Sequence, residues 1–291
     1  MKRIYSKKTC AFLLLFFACA FLTFAFDWPV REGRLTANFG SNNSGIPLLG
    51  NFFAASGSIF PADVGELVFI HDPENPAARI PSPLGSWMAI DHGDNLLGIY
   101  GRYQDRRFAP IPTLVETATV LANAGKSGWT GQEGVYFAFY DRRERRWVNP
   151  SVMIPGMNDT VPPVIRQVEL RNAAGTPFNP ALVQHIPQGL YRIYVDAADT
   201  LQTGGNFLAP NRIICSVNGA EIGMLSFETL MSRNGQRMAY RNGLVEASQI
   251  YDAKGFGLGE IRFTRGQAVL VIEVRDITDN VRSSTFRLTI D

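Results

Sequence analysis

The run Val135-Tyr136-Phe137-Ala138-Phe139-Tyr140, then the charged stretch Asp141 to Arg146 and Trp147-Val148-Asn149-Pro150, decides the fold. Six β-branched, aromatic and small apolar residues in a row, closed by a cluster of charges, read as a strand, a solvated hairpin turn and a return strand. Working outward, Leu97-Gly98-Ile99-Tyr100-Gly101-Arg102-Tyr103 is a hairpin partner for Trp87-Met88-Ala89-Ile90-Asp91-His92. Gly65-Glu66-Leu67-Val68-Phe69-Ile70 precedes them as another short run bounded by turn residues. Helical heptads are absent, and the Gly 27 and Pro 17 of the chain supply the turns that an all-β protein needs.

A boundary is expected at Met157-Asn158-Asp159-Thr160-Val161-Pro162-Pro163, where paired prolines with polar neighbours make a stiff extended linker. Beyond it the sequence predicts strands over 164–170, 190–195, 212–217, 260–264, 268–274 and 284–290. This pattern suggests a β-sandwich. Residues 227–232 read as a short helix. A length of 291 residues accommodates this division, and 46% hydrophobic with 19% charged side chains is enough apolar material for packed cores.

The amino terminus reads as a targeting segment over 1–25. Lys2, Arg3, Lys7 and Lys8 form a basic region, Ala11 to Phe24 an apolar run, and Thr23-Phe24-Ala25 a small-residue cleavage signal. The alternatives are a retained membrane anchor, for which the run is slightly short, and a lipidated Cys19. Cleavage near Ala25 removes four of the 28 basic side chains and none of the 26 acidic ones, turning the formal charge from +2 to −2. Nothing in that balance points to nucleic acid. Of three cysteines, Cys10 and Cys19 lie in this segment. Cys215 remains, in a strand-like run, as a buried small hydrophobe with no intramolecular partner.

Within 27–155 a series of framework pieces occurs in a fixed order: Trp28-Pro29-Val30 to Asn38-Phe39-Gly40; Gly50 then Phe53-Ala54-Ala55-Ser56-Gly57; Pro61 to Val68; Gly85 to Gly93; Tyr100-Gly101-Arg102-Tyr103; Gly125 to Gly131; Val135 to Phe139; and Trp147-Val148-Asn149-Pro150. This succession resembles the lysostaphin/LytM-type zinc endopeptidases, which cut peptide cross-links in bacterial cell walls. The resemblance implies an all-β fold with a LytM-like sheet core over 26–157, followed by an immunoglobulin-like β-sandwich over 158–291. It also implies a site that needs three protein donors for zinc and an open position for water. At the corresponding positions this chain carries Leu48 for the first histidine ligand, Phe52 for the aspartate, Gly134 and Tyr136 for the His-x-His pair, and Arg102 for the catalytic histidine. Carbon side chains donate no electron pair to a metal, and a guanidinium stays protonated and cannot serve as a general base.

The chain has only three histidines, His71, His92 and His185, and none forms a ligand pair of metal spacing. His92 matches a framework position of the family. His71-Asp72 reads as a hydrogen-bonded loop pair. The stretch around Asp91-His92 lacks a Gly-x-Ser-x-Gly elbow, and Lys126 lies outside any phosphate-loop spacing. No catalytic residue, metal or cofactor is therefore expected. Phe52, Arg102 and Tyr136 are the candidate lining of an apolar, aromatic groove. Such a groove is either filled by core side chains or binds a peptide or glycan, with Arg102 pairing a carboxylate. Arg106, Arg107, Arg142, Arg143, Arg145 and Arg146 add local positive charge, although a charge run is more often a solvated face. The expectation is an exported, periplasmic or envelope-associated protein that binds peptidoglycan or an envelope partner. Non-cleaving members of the family that switch on wall amidases make such an enzyme a candidate partner. The alternatives are an active zinc endopeptidase with a rearranged site and a purely structural pair of modules.

Overall fold

The computed structural model describes residues 26–73, 80–104, 112–129, 131–154, 159–202 and 205–291. Residues 1–25, where a targeting segment is expected, lie outside the described residues with Cys10 and Cys19, as do Arg106, Arg107, Met157 and Asn158. No helix among the described residues is long and apolar enough to cross a membrane.

The described chain is all-β. The principal strands are β1 (Asn51–Ala54), β2 (Gly65–His71), β3 (Ser86–Asp91), β4 (Leu96–Tyr103), β5 (Val135–Asp141), β6 (Arg146–Val148), β7 (Val164–Asn172), β8 (Gly189–Ala198), β9 (Arg212–Val217), β10 (Ala220–Arg233), β11 (Gly255–Phe263), β12 (Gly266–Arg275) and β13 (Val281–Ile290). Among the described residues a four-residue α-helix, α1 (Pro150–Met153), follows β6. It is capped by Asn149, whose side chain accepts from the Ser151 amide at 3.0 Å.

Period-two patterning explains β5. Val135, Phe137 and Phe139 join one buried cluster with Met88, Ile90 and Tyr100. Tyr136 and Ala138 join a second cluster on the other face, with Ala89 and Ile99. Both faces are covered, so the strand reads as a continuous apolar run. It is flanked by β1 on one side and β4 on the other. The turn after it is the solvated one expected: Arg142 pairs with Asp91, Arg146 with Asp141 and Arg143 with Glu144. Asp141 lies below the usual carboxylate range, chiefly because it accepts from the Glu144 amide.

The second half encloses its own core. Tyr191, Ile193, Val195 and Ala197 alternate along β8, and Ala268, Leu270, Ile272 and Val274 along β12; both sets belong to one cluster. β7, β8 and β11 form one sheet with two short edge strands, while β9, β10, β12 and β13 belong to the other. Cys215 is fully buried in β9 and free, and burial pushes its thiol up to about 12.

The two halves are continuous through one sheet. β6 pairs antiparallel with β10, placing Trp147 opposite Leu230. The long sheet therefore runs β13-β12-β9-β10-β6-β5-β4-β3-β2. Trp147 packs against the clusters of both halves. Buried Asn149 donates its side-chain amide to the Phe227 carbonyl at 3.0 Å. Asn38 donates to the Ala209 carbonyl and accepts from the Ala209 amide, both at 2.8 Å. The Tyr251 hydroxyl reaches the Gly40 carbonyl.

The helix expected over 227–232 is absent; those residues lie inside β10. The pairing of β10 with its neighbour Gln236–Arg241 slips between Ser226 and Leu230. This bulge buries Phe227 and Leu230 together, a three-residue spacing that mimics a helical face in the sequence. Residues 159–163 form no regular element, as expected of the proline-rich connection, but Asp159 and Pro163 are buried against the second half.

Candidate functional site

Strand register brings the candidate positions read from the sequence together. Tyr136 of β5 stands opposite Phe52 of β1 and, on the other side, opposite Gly101 of β4. The Phe52 and Tyr136 rings lie 5.0 Å apart, centroid to centroid, tilted by 51°. Leu48, Phe52, Arg102 and Gly134 line one open cavity of about 400 Å³. Tyr136 packs behind Phe52 and is almost fully buried; burial raises its hydroxyl pKa well above the ordinary value.

Arg102 owes its position to a bulge. Tyr103 pairs with Ser86 and Gly101 with Trp87, leaving Arg102 as the extra residue between them. Its φ is +67°, a left-handed conformation that costs a non-glycine residue about 1–2 kcal/mol. The result is a side chain turned over Phe52, with Cζ 3.9 Å from the ring centroid. Its Nε is buried without a hydrogen-bond partner, and among the described residues no carboxylate lies within ion-pair distance of the guanidinium. Partial burial lowers its pKa and the Tyr136 hydroxyl opposes that shift, but a guanidinium stays cationic.

The cavity wall also closes where the family pattern has a ligand-bearing segment. A Cβ built at Gly134 would meet the Phe53 carbonyl oxygen at 2.0 Å, so any side chain there displaces backbone. None of Leu48, Phe52 and Gly134 offers a donor atom. The donor set does not fit a zinc ion. The remaining wall includes Thr36, Asn42, Glu133 and, from the second half, Phe207, which is 66% exposed. Sequence reasoning missed Phe207, because its approach depends on the joint between the halves, where Asn206 donates to the Leu35 carbonyl.

The histidines have framework surroundings. His92 Nδ1 lies 3.0 Å from the Val64 carbonyl and Nε2 3.2 Å from the Tyr100 hydroxyl. Burial lowers its pKa against the opposing pull of that carbonyl, Asp63 and Asp91. His71 sits between the Gly85 and Ile80 carbonyls. His185 is exposed, 3.6 Å from Asp291. Among the described residues no histidine takes part in a cluster of metal-donor geometry.

One family model matches residues 162–291. No curated protein matches the sequence. Among solved structures, the chain is similar to the catalytic domain of the prophage-encoded M23 protein EnpA from Enterococcus faecalis, at 22% identity and a TM-score of 0.35, covering 43% of this chain and 95% of that one. It is similar to a zinc-containing peptidase from Vibrio cholerae at 20% identity and a TM-score of 0.36, covering 43% of this chain and 39% of that one. It is similar to the antimicrobial peptidase lysostaphin from Staphylococcus simulans at 14% identity and a TM-score of 0.35, over 75% of this chain and 86% of that one. The chain thus spans well under half of the Vibrio cholerae peptidase.

Proposed function

We propose that this chain is a non-catalytic cell-envelope protein built on a metalloendopeptidase scaffold, and that its groove binds an anionic segment of peptidoglycan or of an envelope partner without cutting it. One observation carries the reading. Arg102 is held in a left-handed bulge conformation over Phe52, beside a cavity, with no carboxylate partner among the described residues. Strained backbone persists where surrounding structure over-determines it, and such sites cluster at ligand clamps. A guanidinium backed by an aromatic ring offers a planar fork to a carboxylate, such as that of a wall stem peptide. The framework motifs read from the sequence supply the peptidase scaffold, and the lost donors at Leu48, Phe52, Gly134 and Tyr136 supply the loss of chemistry. The second half serves in this reading as an immunoglobulin-like spacer, and the segment 1–25 as the export signal. A wall amidase is the partner class that the resemblance makes available.

Titration of the purified chain with soluble stem-peptide wall fragments, wild type against Arg102→Ala, tests the groove. Loss of a charge-assisted pair is worth about tenfold or more in affinity. Equal binding by both proteins, or none by wild type, overturns the groove reading. Stoichiometric zinc with turnover of wall peptides would favour an active peptidase instead.

A further inference from the structure

Three buried carboxylates meet where the two halves join. Asp159 lies in the connection ahead of β7, Asp199 directly after β8, and Asp276 directly after β12. They are 7%, 4% and 0% exposed. One oxygen from each lies within 4.8 Å of the other two. Among the described residues no Lys, Arg or His forms an ion pair with any of them.

Acidic clusters alone are common, but here the oxygens divide by task. Both oxygens of Asp276 have partners: Oδ1 accepts from the Thr278 amide at 2.8 Å and the Asn280 amide at 2.9 Å, and Oδ2 from the Asn280 side chain at 2.8 Å. Asp159 Oδ1 accepts from the Val161 amide at 2.9 Å. Asp159 Oδ2 and Asp199 Oδ1 are buried with no hydrogen-bond partner among the described residues. An unsatisfied buried carboxylate oxygen is costly, and three like charges out of water need a counter-charge. Burial, with the neighbouring carboxylates, holds the Asp199 carboxyl up at about 7 and raises that of Asp159.

We propose that Asp159, Asp199 and Asp276 form a binding site for a hard divalent cation of the calcium class. Oxygens on opposite sides of a calcium ion, each at about 2.3–2.6 Å, lie up to about 5 Å apart, which is the spread seen here. An all-oxygen donor set selects calcium, magnesium or manganese over zinc. The ligands come from three places: β8 belongs to one sheet, β12 to the other, and Asp159 to the connection between the halves. The cation therefore cross-links both sheets of the second half to the connection. The loop after β12 already folds around that connection, with the Thr278 hydroxyl and the Asn280 side chain donating to the Asp159 carbonyl at 3.2 and 3.1 Å. The Asp199 backbone pairs with Leu208, whose side chain packs in the core of the first half. The site is independent of the groove reading.

The test uses the full chain stripped with a chelator, then titrated with CaCl₂ by calorimetry and followed by thermal unfolding. Wild type is expected to bind one calcium per chain and to melt at a temperature that rises with calcium concentration. Asp199→Asn, which keeps the shape and removes a charge, is expected to fold in chelator, to bind at least about tenfold more weakly, and to lose the calcium dependence of melting. An absence of heat together with an unchanged melting temperature up to about 10 mM CaCl₂, well above the weak end of protein calcium sites, overturns the proposal. So does calcium binding by Asp199→Asn as tight as that of wild type. Tighter binding of MgCl₂ than of CaCl₂ overturns the assignment to calcium.

Discussion

The groove under Arg102 and the carboxylate pocket at the joint treat charge in opposite ways. In the groove Leu48, Phe52 and Gly134 carry carbon or nothing, and the Arg102 guanidinium is ion-paired with no carboxylate among the described residues, although Glu133 lines the same cavity. In the pocket three carboxyl groups meet, and among the described residues no Lys, Arg or His forms an ion pair with any of them. The difference teaches that a likeness to a metal-binding scaffold does not say where a metal would bind. Donor chemistry does, and in this chain three carboxylates meet at Asp159, Asp199 and Asp276, none of them a motif position.

The largest expected effect comes from forcing a histidine into the groove wall. Gly134→His drives a side chain against the Phe53 carbonyl and is expected to cost about 3 kcal/mol, the upper end for overpacking, read as a fall in the urea midpoint. A variant as stable as wild type would mean that the wall is pliable and that the contrast between the two pockets is weaker than drawn. A separate effect is expected at Arg102→Gly. The variant gives up the stacking on Phe52, worth about 0.5–1 kcal/mol, and relieves the left-handed strain of about 1–2 kcal/mol. Stability should stay within about 1 kcal/mol of wild type, while binding of anionic wall fragments is lost. A large destabilisation would make Arg102 a structural residue and remove its role as a ligand for anions.

The smallest effect belongs to neither pocket and serves as a control. His92 is held below its ordinary pKa, mainly by burial. A lowered folded value means that the neutral ring stabilises the fold above the unfolded pKa of about 6.5, and that this contribution is lost as pH falls through the folded value. Chemical denaturation at pH 7.5 and 5.5 should show lower stability at the acid end, with a smaller difference in His92→Gln. An unchanged slope in the variant would assign the acid sensitivity elsewhere.

Much of the fold was legible because apolar residues alternate along β8 and β12 and run unbroken through β5. The solvated turn over Asp141 to Arg146 and the burial of Cys215 were legible for the same reason. The helix expected at 227–232 failed because a bulge imposes a spacing that periodicity alone assigns to a helix. The convergence of Phe52, Arg102 and Tyr136 was readable only through motif order, while the left-handed turn at Arg102 depends on strand register, which no single residue encodes. The Asp159, Asp199 and Asp276 cluster was invisible. Each aspartate sits at the end of an element or in a turn, where aspartate is common, and only the pairing of two sheets brings them together.

The most direct test of the contrast is native mass spectrometry of the full chain offered equal amounts of zinc and calcium after chelation. The account predicts one calcium per molecule and no tightly held zinc. One zinc per molecule, released by chelator together with hydrolysis of wall peptides, would contradict it.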